Sequence, residues 1–145
     1  MSDSSDRLVD HDQTEFVRSA MPFAGELGIE VLRSGPADPD GVTYSRMAWH
    51  ERLCTMGGML HGGALMAFAD AMGGYVAFRN LPAGATGTST IESKTNFLRA
   101  IRGGHLHARS SVLHAGRTTI VVDTDLFDDD GRRVGRVTQT QAVLA

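Results

Sequence analysis

The chain has 145 residues, which is enough for one domain that buries a substantial core. Its formal net charge of -3 and its isoelectric point near 6.0 argue against nucleic acid as the main partner, since such proteins favour a basic surface. Cys54 is the only cysteine, so an intramolecular disulfide is excluded and the composition fits a reducing compartment.

The N-terminal segment is polar and acidic and shows no hydrophobic periodicity. We expect residues 1–12 to be disordered and residues 13–145 to form a single domain. The segment lacks the basic and apolar stretches of a secretory signal, and no apolar run reaches the roughly 18–20 residues of a membrane span. We therefore expect a cytoplasmic protein without a membrane partner.

The first regular elements are predicted before residue 50. From Thr14 to Ala20 the pattern favours a short helix that ends near Pro22. The run "FAGELGIEVLRSG" predicts a turn followed by a strand, and "VTYSRMAWHE" alternates well enough to be a second strand. Between these runs, "SGPADPDG" has the proline, glycine and aspartate content of a loop.

Four further strands are predicted in the second half of the chain. The runs are partly alternating and rich in β-branched residues: "TSTIESKTNFLRA", "HLHARSSVLHA", "TTIVVDTDLFD" and "RRVGRVTQTQAVL". The breaks between them are short, which suits antiparallel neighbours because parallel pairs need long crossovers.

The segment "ALMAFADAMGGYVAF" is apolar on nearly all sides and predicts a helix that is buried on most of its surface. Gly73 and Gly74 each disfavour a helix by on the order of 1 kcal/mol relative to alanine, so they indicate close approach of another backbone. The simplest arrangement is an α+β fold in which an antiparallel sheet wraps one central helix.

Two glycines, Gly62 and Gly63, stand at the predicted start of this helix. Helix N-termini leave backbone N–H groups unpaired and carry partial positive charge, and glycine lets a ligand approach them closely. The start of the helix is therefore a candidate site for an anion or a developing oxyanion, although glycine before a helix is commonly only a turn.

Asp70 is the one carboxylate inside the apolar helix. A buried carboxylate is unfavourable unless it is paired or hydrogen-bonded, so Asp70 is either a functional acid or a structural residue bonded to a neighbouring hydroxyl or N–H. It follows Gly62 by eight residues, which is roughly 12 Å along a helix. If both groups act on one substrate carbonyl they must come from two chains, which predicts a homodimer with two equivalent sites at its interface.

The stretch "LHGGALMAFADAMGG" resembles the helix motif of hot-dog-fold acyl-CoA thioesterases of the PaaI-like (phenylacetate-degradation) type. That motif is His-Gly-Gly followed by a catalytic Asp or Glu nine residues after the histidine, which here is Asp70. The runs "STIESKTNFLRAI", "HAGRTT" and "DDDGRRVGRVTQT" resemble later parts of the same family, so the resemblance covers about residues 21–145.

The resemblance implies a role for each matching residue. The backbone N–H of Gly62 polarises the thioester carbonyl, and Asp70 of the opposite subunit acts as nucleophile or as general base on water. His61 orients the thioester or shapes the site. Ser89 falls where related enzymes keep a hydroxyl near the acid, with Thr88 as the neighbouring candidate.

One position departs from the family pattern. Six residues before the histidine the family commonly has Asn or Gln, which hydrogen-bonds near the reacting carbonyl or water, and here that position is Thr55. Threonine can still make one such bond, but its side chain is shorter, which puts the rate or the placement of water in question.

The resemblance also implies a binding path for coenzyme A along "NFLRAI" and "HAGRTT". Arg99 and Arg117 are candidates for its phosphates, because guanidinium matches phosphate geometry, and the alternative for each is a solvated surface charge. The implied contact residues are Asn96, Phe97, Leu98, Arg99, His114, Gly116, Arg117 and Thr118.

A metal site and a thiol nucleophile are two alternatives for the remaining histidines and the cysteine. His105 and His107 share one face of a strand, but no Cys, Asp or Glu stands at ligand spacing near them or near His114, so exposed polar alternation explains them better. Cys54 has no evident His–acid pair and is better explained as a small buried residue. We therefore predict no metal.

The favoured function is hydrolysis of an acyl-CoA to a free acid and coenzyme A, without a metal or redox cofactor, since coenzyme A is part of the substrate. The expected assembly is a homodimer, and the resemblance implies that two such dimers associate into a homotetramer, with the packing of the dimers left open. The main alternative is a non-catalytic hot-dog protein that binds acyl-CoA. A hot-dog hydratase is a third possibility, but its characteristic Asp and His motif is absent from the sequence.

Overall fold

The computed structural model describes residues 8–33 and 41–145. Its strands are β1 (Glu30–Val31), β2 (Thr43–Ala48), β3 (Gly87–Phe97), β4 (His105–Ala115), β5 (Thr119–Phe127) and β6 (Arg133–Leu144). They form one six-stranded sheet with the order β1-β2-β4-β5-β6-β3, in which every neighbouring pair is antiparallel. The predicted strands are confirmed, although all of the loop predicted at residues 34–41 except Gly41 lies outside the described residues.

A long helix, α3 (Gly62–Arg79), packs against one face of this sheet. The inward residues of the strands alternate with outward ones, as in Ile120, Val122 and Leu126 of β5, and all three are fully buried. Leu126 belongs to one core cluster with Phe68 and Met72 of α3, whereas Ile120 and Val122 pack in a second cluster with Val76 and Ala77 of the same helix. The predicted α+β arrangement, with an antiparallel sheet around one apolar helix, is therefore confirmed.

The N-terminal part of the described chain is more structured than the sequence analysis predicted. Residues 1–7 lie outside the described residues, but residues 8–12 do not form a disordered segment. Val9 is buried and bridges to Leu32, and Asp10 caps α1 (His11–Ala20) by accepting a hydrogen bond of 3.0 Å from the Gln13 N–H. The predicted end of this helix before Pro22 is observed.

A second short helix, α2 (Pro22–Leu27), occupies the segment predicted as a turn. Proline is favoured at the first helical position, and the helix ends at Gly28, whose φ of 69° is the left-handed conformation that glycine adopts without strain. Together α1 and α2 cover one end of α3, where Val17 and Ala24 join the core.

Strand β3 lies at the edge of the sheet and pairs only with β6 within the described chain. Most of its residues are exposed, including the large apolar side chains of Ile91 (63%) and Phe97 (55%). A long edge strand with exposed apolar residues can pair with another strand. Among the helices that the structure describes, none has both the length and the apolar character needed to cross a membrane.

Candidate active site

Asp70 lies on the side of α3 that the sheet leaves open. Its side chain is exposed in the protomer, which corrects the sequence-based expectation that the acid is buried. The helix is apolar on nearly all sides, yet its Asp70 face is not covered by the chain's own sheet, and Met66 on that face is also exposed. In a single protomer the Asp70 carboxylate therefore remains in contact with solvent and pays no desolvation cost.

The carboxylate of Asp70 is held at one oxygen only. Its Oδ1 accepts hydrogen bonds from Thr90 Oγ1 at 2.8 Å and from Gln139 Nε2 at 3.1 Å. No hydrogen bond among the described residues involves Oδ2. One oxygen of the acid is thus fixed by two donors, and the other is available to a reactant.

The donor Thr90 is itself oriented by a second buried amide. Gln141 Nε2 donates to Thr90 Oγ1 at 2.6 Å, so the hydroxyl hydrogen of Thr90 is left to point at Asp70. Gln139 and Gln141 are almost completely buried, which keeps both amides in place. Sequence analysis did not identify these three residues.

A sequence signal for the two glutamines exists in β6. In "VTQTQAV" the inward positions are Val137, Gln139 and Gln141, so two polar side chains occupy the core-facing side of a strand. Buried polar groups are retained with hydrogen-bond partners, which indicates a polar site beneath them. The signal depends on knowing which face is inward, and that knowledge comes from the fold.

The hydroxyl predicted next to the acid is not the one observed. Ser89 was expected to lie near Asp70, but Thr90 makes the contact. Successive residues of a strand point to opposite sides, so Ser89 and Thr90 cannot both face α3. Thr88, the neighbouring candidate, lines the same cleft as Asp70 and Thr90 without bonding to the acid.

Gly73 lets the Gln139 amide reach the helix. A Cβ at this position would overlap the Oε1 and Cδ atoms of Gln139. The close approach predicted for the glycine pair is therefore confirmed for Gly73, but the partner is a side chain of the sheet and not another backbone. Without this space, Gln139 could not donate to Asp70.

An apolar cleft of about 370 Å³ opens beside Asp70. One wall comes from α1 and another from α3. The ring of Phe16 on α1 stacks on the ring of Phe78 on α3, with centroids 6.2 Å apart. Gly74 also lines the cleft, and a Cβ there would meet no atom of the described residues within 4 Å. The absence of a side chain at Gly74 therefore keeps the cleft open one helical turn from the acid.

The start of α3 leaves one backbone donor unused. The His61 carbonyl accepts from the N–H groups of Ala64 and Leu65 at 2.9 and 3.2 Å, and the His61 ring accepts from the Gly63 N–H. The Gly62 N–H has no hydrogen-bond partner among the described residues. It lies at the positive end of an 18-residue helix, so it is a donor suited to an oxyanion.

His61 is the N-cap of α3. Its Nδ1 accepts the Gly63 N–H at 2.8 Å, which requires that Nδ1 carry no proton. A Cβ on Gly63 would come within 2.9 Å of this nitrogen, so glycine is needed for the ring to close over the helix start. The His61 ring therefore fixes the end of the helix that presents Gly62.

A second cleft, of about 410 Å³, lies at this helix start. Thr55, Gly62, Phe97, Leu98 and Arg99 all line it, so the structure brings together predicted residues from three separate segments. The Phe97 ring packs directly on Gly62, and the Thr55 hydroxyl has no hydrogen-bond partner within the described parts of the chain.

The predicted coenzyme A residues fall into two groups at opposite ends of β3. Phe97 and Arg99 are at the end that pairs with Gly135 of β6, whereas Thr118 bonds through its carbonyl to the Val143 N–H near the other end. The eleven residues of β3 span roughly 33 Å, so Arg99 and Arg117 of one chain do not meet at one phosphate group. His114 and Gly116 belong to the second group, where the His114 ring packs on Gly116.

Comparison with known proteins places this fold in a family. The sequence matches the family model of the thioesterase superfamily over residues 57–135, which is more than half of the chain. The protein therefore belongs to the thioesterase superfamily, and its fold is the hot-dog fold. The match includes the start of α3, Asp70 and the whole of β3.

Individual relatives cover most of the chain. The medium/long-chain acyl-CoA thioesterase YigI of Salmonella typhimurium is 26% identical over 139 residues, which are 85% of this chain and 86% of that protein. A crystal structure of a variant of thioesterase PA1618 from Pseudomonas aeruginosa is 26% identical with a TM-score of 0.82, covering 94% of this chain and 98% of that chain. In sequence, PA1618 is 33% identical over 90 residues, which are 61% of this chain and 62% of that protein, so the match spans less than two thirds of its length.

A second crystal structure supports the same fold. Thioesterase HI1161 from Haemophilus influenzae is 25% identical with a TM-score of 0.76, covering 84% of this chain and 82% of that chain. The names of these relatives describe thioester hydrolysis, which is the general chemistry of the superfamily.

Proposed function

We propose that this protein hydrolyses acyl-CoA thioesters at a site shared by two subunits, as PaaI-like thioesterases do. The observation that carries the proposal is the hydrogen bonding of the Asp70 carboxylate and its position beside a cleft. Its Oδ1 is fixed by two donors, its Oδ2 is unoccupied among the described residues, and an apolar cleft lies beside it. A general base or nucleophile needs one oxygen that is free to reach the reactant, and Oδ2 meets this requirement while Oδ1 holds the carboxylate in place.

The proposed reaction uses Asp70, a backbone N–H and water. Asp70 Oδ2 accepts a proton from water as the water oxygen attacks the thioester carbonyl, or it attacks the carbonyl itself and water then releases the acyl group. In either route the carbonyl oxygen becomes negative and is stabilised by the Gly62 N–H. The C–S bond then breaks, and the coenzyme A thiolate takes up a proton, from Asp70 in the first route and from solvent in the second. In the second route the acyl–Asp70 anhydride that remains is hydrolysed by water, which releases the free acid and restores the carboxylate.

Two chains are required because the two groups are far apart on one helix. Asp70 and Gly62 are separated by roughly 12 Å along α3, and they line different clefts. An antiparallel pairing of two β3 edges, or of two α3 helices, about a two-fold axis would bring the start of one helix near Asp70 of the other. The exposed Ile91 of β3 and Met66 of α3 are apolar surfaces that such a dimer would cover.

The same symmetry would unite the two groups of coenzyme A residues. The Arg117 end of β3 is the end near Asp70, because Thr88 and Thr90 line the Asp70 cleft. Arg99 is at the other end, beside Gly62. In an antiparallel pair of chains, Arg117 of one chain lies on the same side as Arg99 of the other, and both guanidinium groups become available to one coenzyme A.

The acyl group is proposed to enter the apolar cleft beside Asp70. Aromatic rings of Phe16, Tyr75 and Phe78 dominate the wall, and Met21 adds a flexible apolar surface. This lining favours aromatic or medium-length aliphatic acyl groups over short polar ones. The name of the relative YigI, a medium/long-chain acyl-CoA thioesterase, supports an apolar acyl group.

A panel of acyl-CoA substrates tests this proposal. Thiol release would be measured for aromatic, medium-chain, long-chain and hydroxylated acyl groups, with Asp70→Asn assayed beside the wild type. We expect hydrolysis of apolar acyl groups by the wild type and a loss of about 10²–10⁴-fold in the variant, which is the contribution of a positioned general base. If the wild type binds these compounds but releases no thiol from any of them, the non-catalytic acyl-CoA-binding alternative is correct.

A further inference from the structure

Three metal-binding side chains converge on the face of the sheet that points away from α3. His105 and His107 of β4 alternate with the buried Leu106, so both rings are on the outer face. The turn between β5 and β6 places Asp129 between them. The Asp129 Oδ1 is 2.6 Å from His107 Nε2 and 3.8 Å from His105 Nδ1.

The fold supplies the carboxylate that the two histidines lack in their own part of the sequence. No acid stands near the histidines in sequence, but Asp129 is 22 residues from His107 and is brought to it by the β4–β5–β6 meander. The three donor atoms lie within 4.8 Å of one another. Imidazole and carboxylate donors in this number are a ligand set for a divalent transition metal.

The distances suit one ion after a small adjustment. Ligands bound at about 2.0–2.2 Å in tetrahedral geometry lie roughly 3.4 Å from each other. The observed distances of Asp129 Oδ1 to His107 and His105, 2.6 and 3.8 Å, bracket this value. A displacement of the exposed Asp129 carboxylate by less than about 1 Å would therefore make both distances suitable.

The carboxylate is oriented by groups that do not bind the ion. Asp129 Oδ2 accepts the His105 backbone N–H at 3.1 Å, which leaves Oδ1 facing the two rings. Gly104 makes room for it, because a Cβ there would collide with Oδ2, and its φ of 66° also favours glycine. Such supporting hydrogen bonds are characteristic of metal ligands.

The positive charge of Arg46, which lies near the histidines, is offset by the Glu30 carboxylate, so it repels a bound metal ion only weakly. Arg46 of β2 pairs with His107 across the sheet, but its Nε is bonded to the Glu30 carboxylate at 2.6 Å. Asp129 adds a negative charge and the two imidazoles are ligands in their neutral form. The local sum of formal charges is therefore negative before an ion binds.

We propose that His105 Nδ1, His107 Nε2 and Asp129 Oδ1 form a binding site for Zn²⁺ or a similar divalent transition-metal ion. Solvent would fill the fourth position. The site lies on the opposite face of the sheet from α3, so it is separate from the proposed catalytic residues. A bound ion would connect the β5–β6 turn to the first residues of β4. Its binding does not depend on the proposed hydrolase activity.

Titration of tag-free, chelator-treated full-length protein with ZnCl₂ tests the proposal by calorimetry and by thermal denaturation. We expect one Zn²⁺ per chain and a rise in Tm on binding, because an ion that binds only the folded state stabilises it. Loss of outer-shell groups alone weakens metal binding by about 10–100-fold, so His107→Gln and Asp129→Asn should each weaken it by more than tenfold.

The variants are chosen to separate binding from folding. Asn at position 129 keeps an oxygen that can accept the His105 N–H but is a poor ligand, so circular dichroism should be unchanged. His114→Gln and Cys54→Ser, which alter a histidine and a thiol outside the cluster, should bind Zn²⁺ like the wild type. With Co²⁺ as the probe, visible absorption typical of a four-coordinate site should appear in the wild type and be lost in Asp129→Asn.

Two results would overturn the proposal. One is the absence of stoichiometric Zn²⁺ binding to the wild type at micromolar concentration. The other is binding that persists unchanged in both His107→Gln and Asp129→Asn, which would assign the ion to other residues.

Discussion

Gln139 lies behind Asp70 and donates to it twice, from Nε2 to the side-chain Oδ1 at 3.1 Å and to the backbone carbonyl at 3.4 Å. The glutamine is fully buried, whereas the acid is exposed. A rigid amide in the core therefore sets the position of a carboxylate at the surface. The Oε1 atom of Gln139 is buried and has no hydrogen-bond partner among the residues that the structure describes, so the amide is held by packing against Gly73 as well as by its donor bonds.

Thr90→Val should lower kcat while KM changes little. The substitution removes the hydroxyl that fixes Asp70 Oδ1 but keeps the shape of the side chain. We expect a loss of about tenfold or more, which is part of the roughly 10²–10⁴-fold contribution of a positioned general base. Steady-state kinetics on an apolar acyl-CoA would measure it.

Two matched variants make this test specific. Thr90→Ser retains the hydroxyl and should recover most of the activity. Ser89→Ala changes the neighbouring residue on the opposite face of β3 and should behave like the wild type. Equal losses of kcat in Ser89→Ala and Thr90→Val would show that disturbing β3, and not removing the hydrogen bond to Asp70, causes the loss.

Gly73→Ala and Gly74→Ala should have opposite effects on stability. The added Cβ at Gly73 overlaps the Gln139 amide, and overpacking of this kind lowers the free energy of unfolding by about 1–3 kcal/mol. At Gly74 the Cβ meets open space, so alanine should raise the free energy of unfolding by up to about 1 kcal/mol through its helix propensity. Urea denaturation would measure both, and a stable Gly73→Ala protein would contradict the observed packing.

Gly74→Leu should change acyl-chain selectivity. A leucine side chain would fill the cleft beside Asp70, so kcat/KM should fall for the bulky or long acyl-CoAs that the wild type accepts and fall less for short ones. Gly74→Ala, which adds only one methyl group to open space, is the control. A uniform loss across all chain lengths would mean that the acyl group binds elsewhere.

The carboxylate of Asp123 should make the protein's stability depend on acid pH. Burial raises the pKa of Asp123, but hydrogen bonds of 2.6 Å from Thr138 and Arg136 outweigh it and hold the pKa below its ordinary value. A carboxyl whose pKa is depressed by folding contributes stability that is present above its unfolded pKa of about 3.9 and is lost as the pH falls through the lower folded value.

Asp123→Asn should therefore reduce the free energy of unfolding at neutral pH and flatten its decline below about pH 4. Denaturant unfolding at several pH values would measure this, with Glu15→Gln as the control at an exposed acid on α1. An unchanged slope in Asp123→Asn would show that other carboxyl groups cause the acid sensitivity.

The sequence predicted the fold well because its signals are local. Alternating β-branched runs and short breaks specify an antiparallel sheet, and His61 before a long apolar run marks the start of α3. The short helix α2 was missed because six residues after Pro22 give too little periodicity to distinguish a helix from a turn. The order at residues 8–12 was missed because it depends on contacts with β1, which lies twenty residues further along the chain.

The site was only partly predictable for a different reason. The eight-residue spacing of Gly62 and Asp70 is visible in sequence, and it is the basis for proposing a site shared between two chains. Which residue of "TST" faces Asp70 depends on the register of β3, and a shift of one residue exchanges Ser89 for Thr90. The contact of Asp129 with His107 likewise depends on how two hairpins align, which no spacing in the sequence reveals.

The central claim is that one active site combines Asp70 of one chain with the Gly62 N–H of another. Gly62→Pro removes this N–H with little change to the helix start, since proline is favoured at the first helical position and His61, with ψ of 135°, already has the extended backbone that precedes proline. Gly62→Ala adds a similar Cβ contact with Phe97 but retains the N–H, so it is the matched control.

The most direct test is complementation between Asp70→Asn and Gly62→Pro chains, each inactive alone, co-expressed in equal amounts and assayed for thiol release. If the site is shared between chains, each mixed dimer contains one intact site, half of the dimers are mixed, and about one quarter of wild-type activity should return. If activity stays at the level of the separate variants while mixed dimers are shown to form, both groups must act within one chain, and the account of the site is wrong.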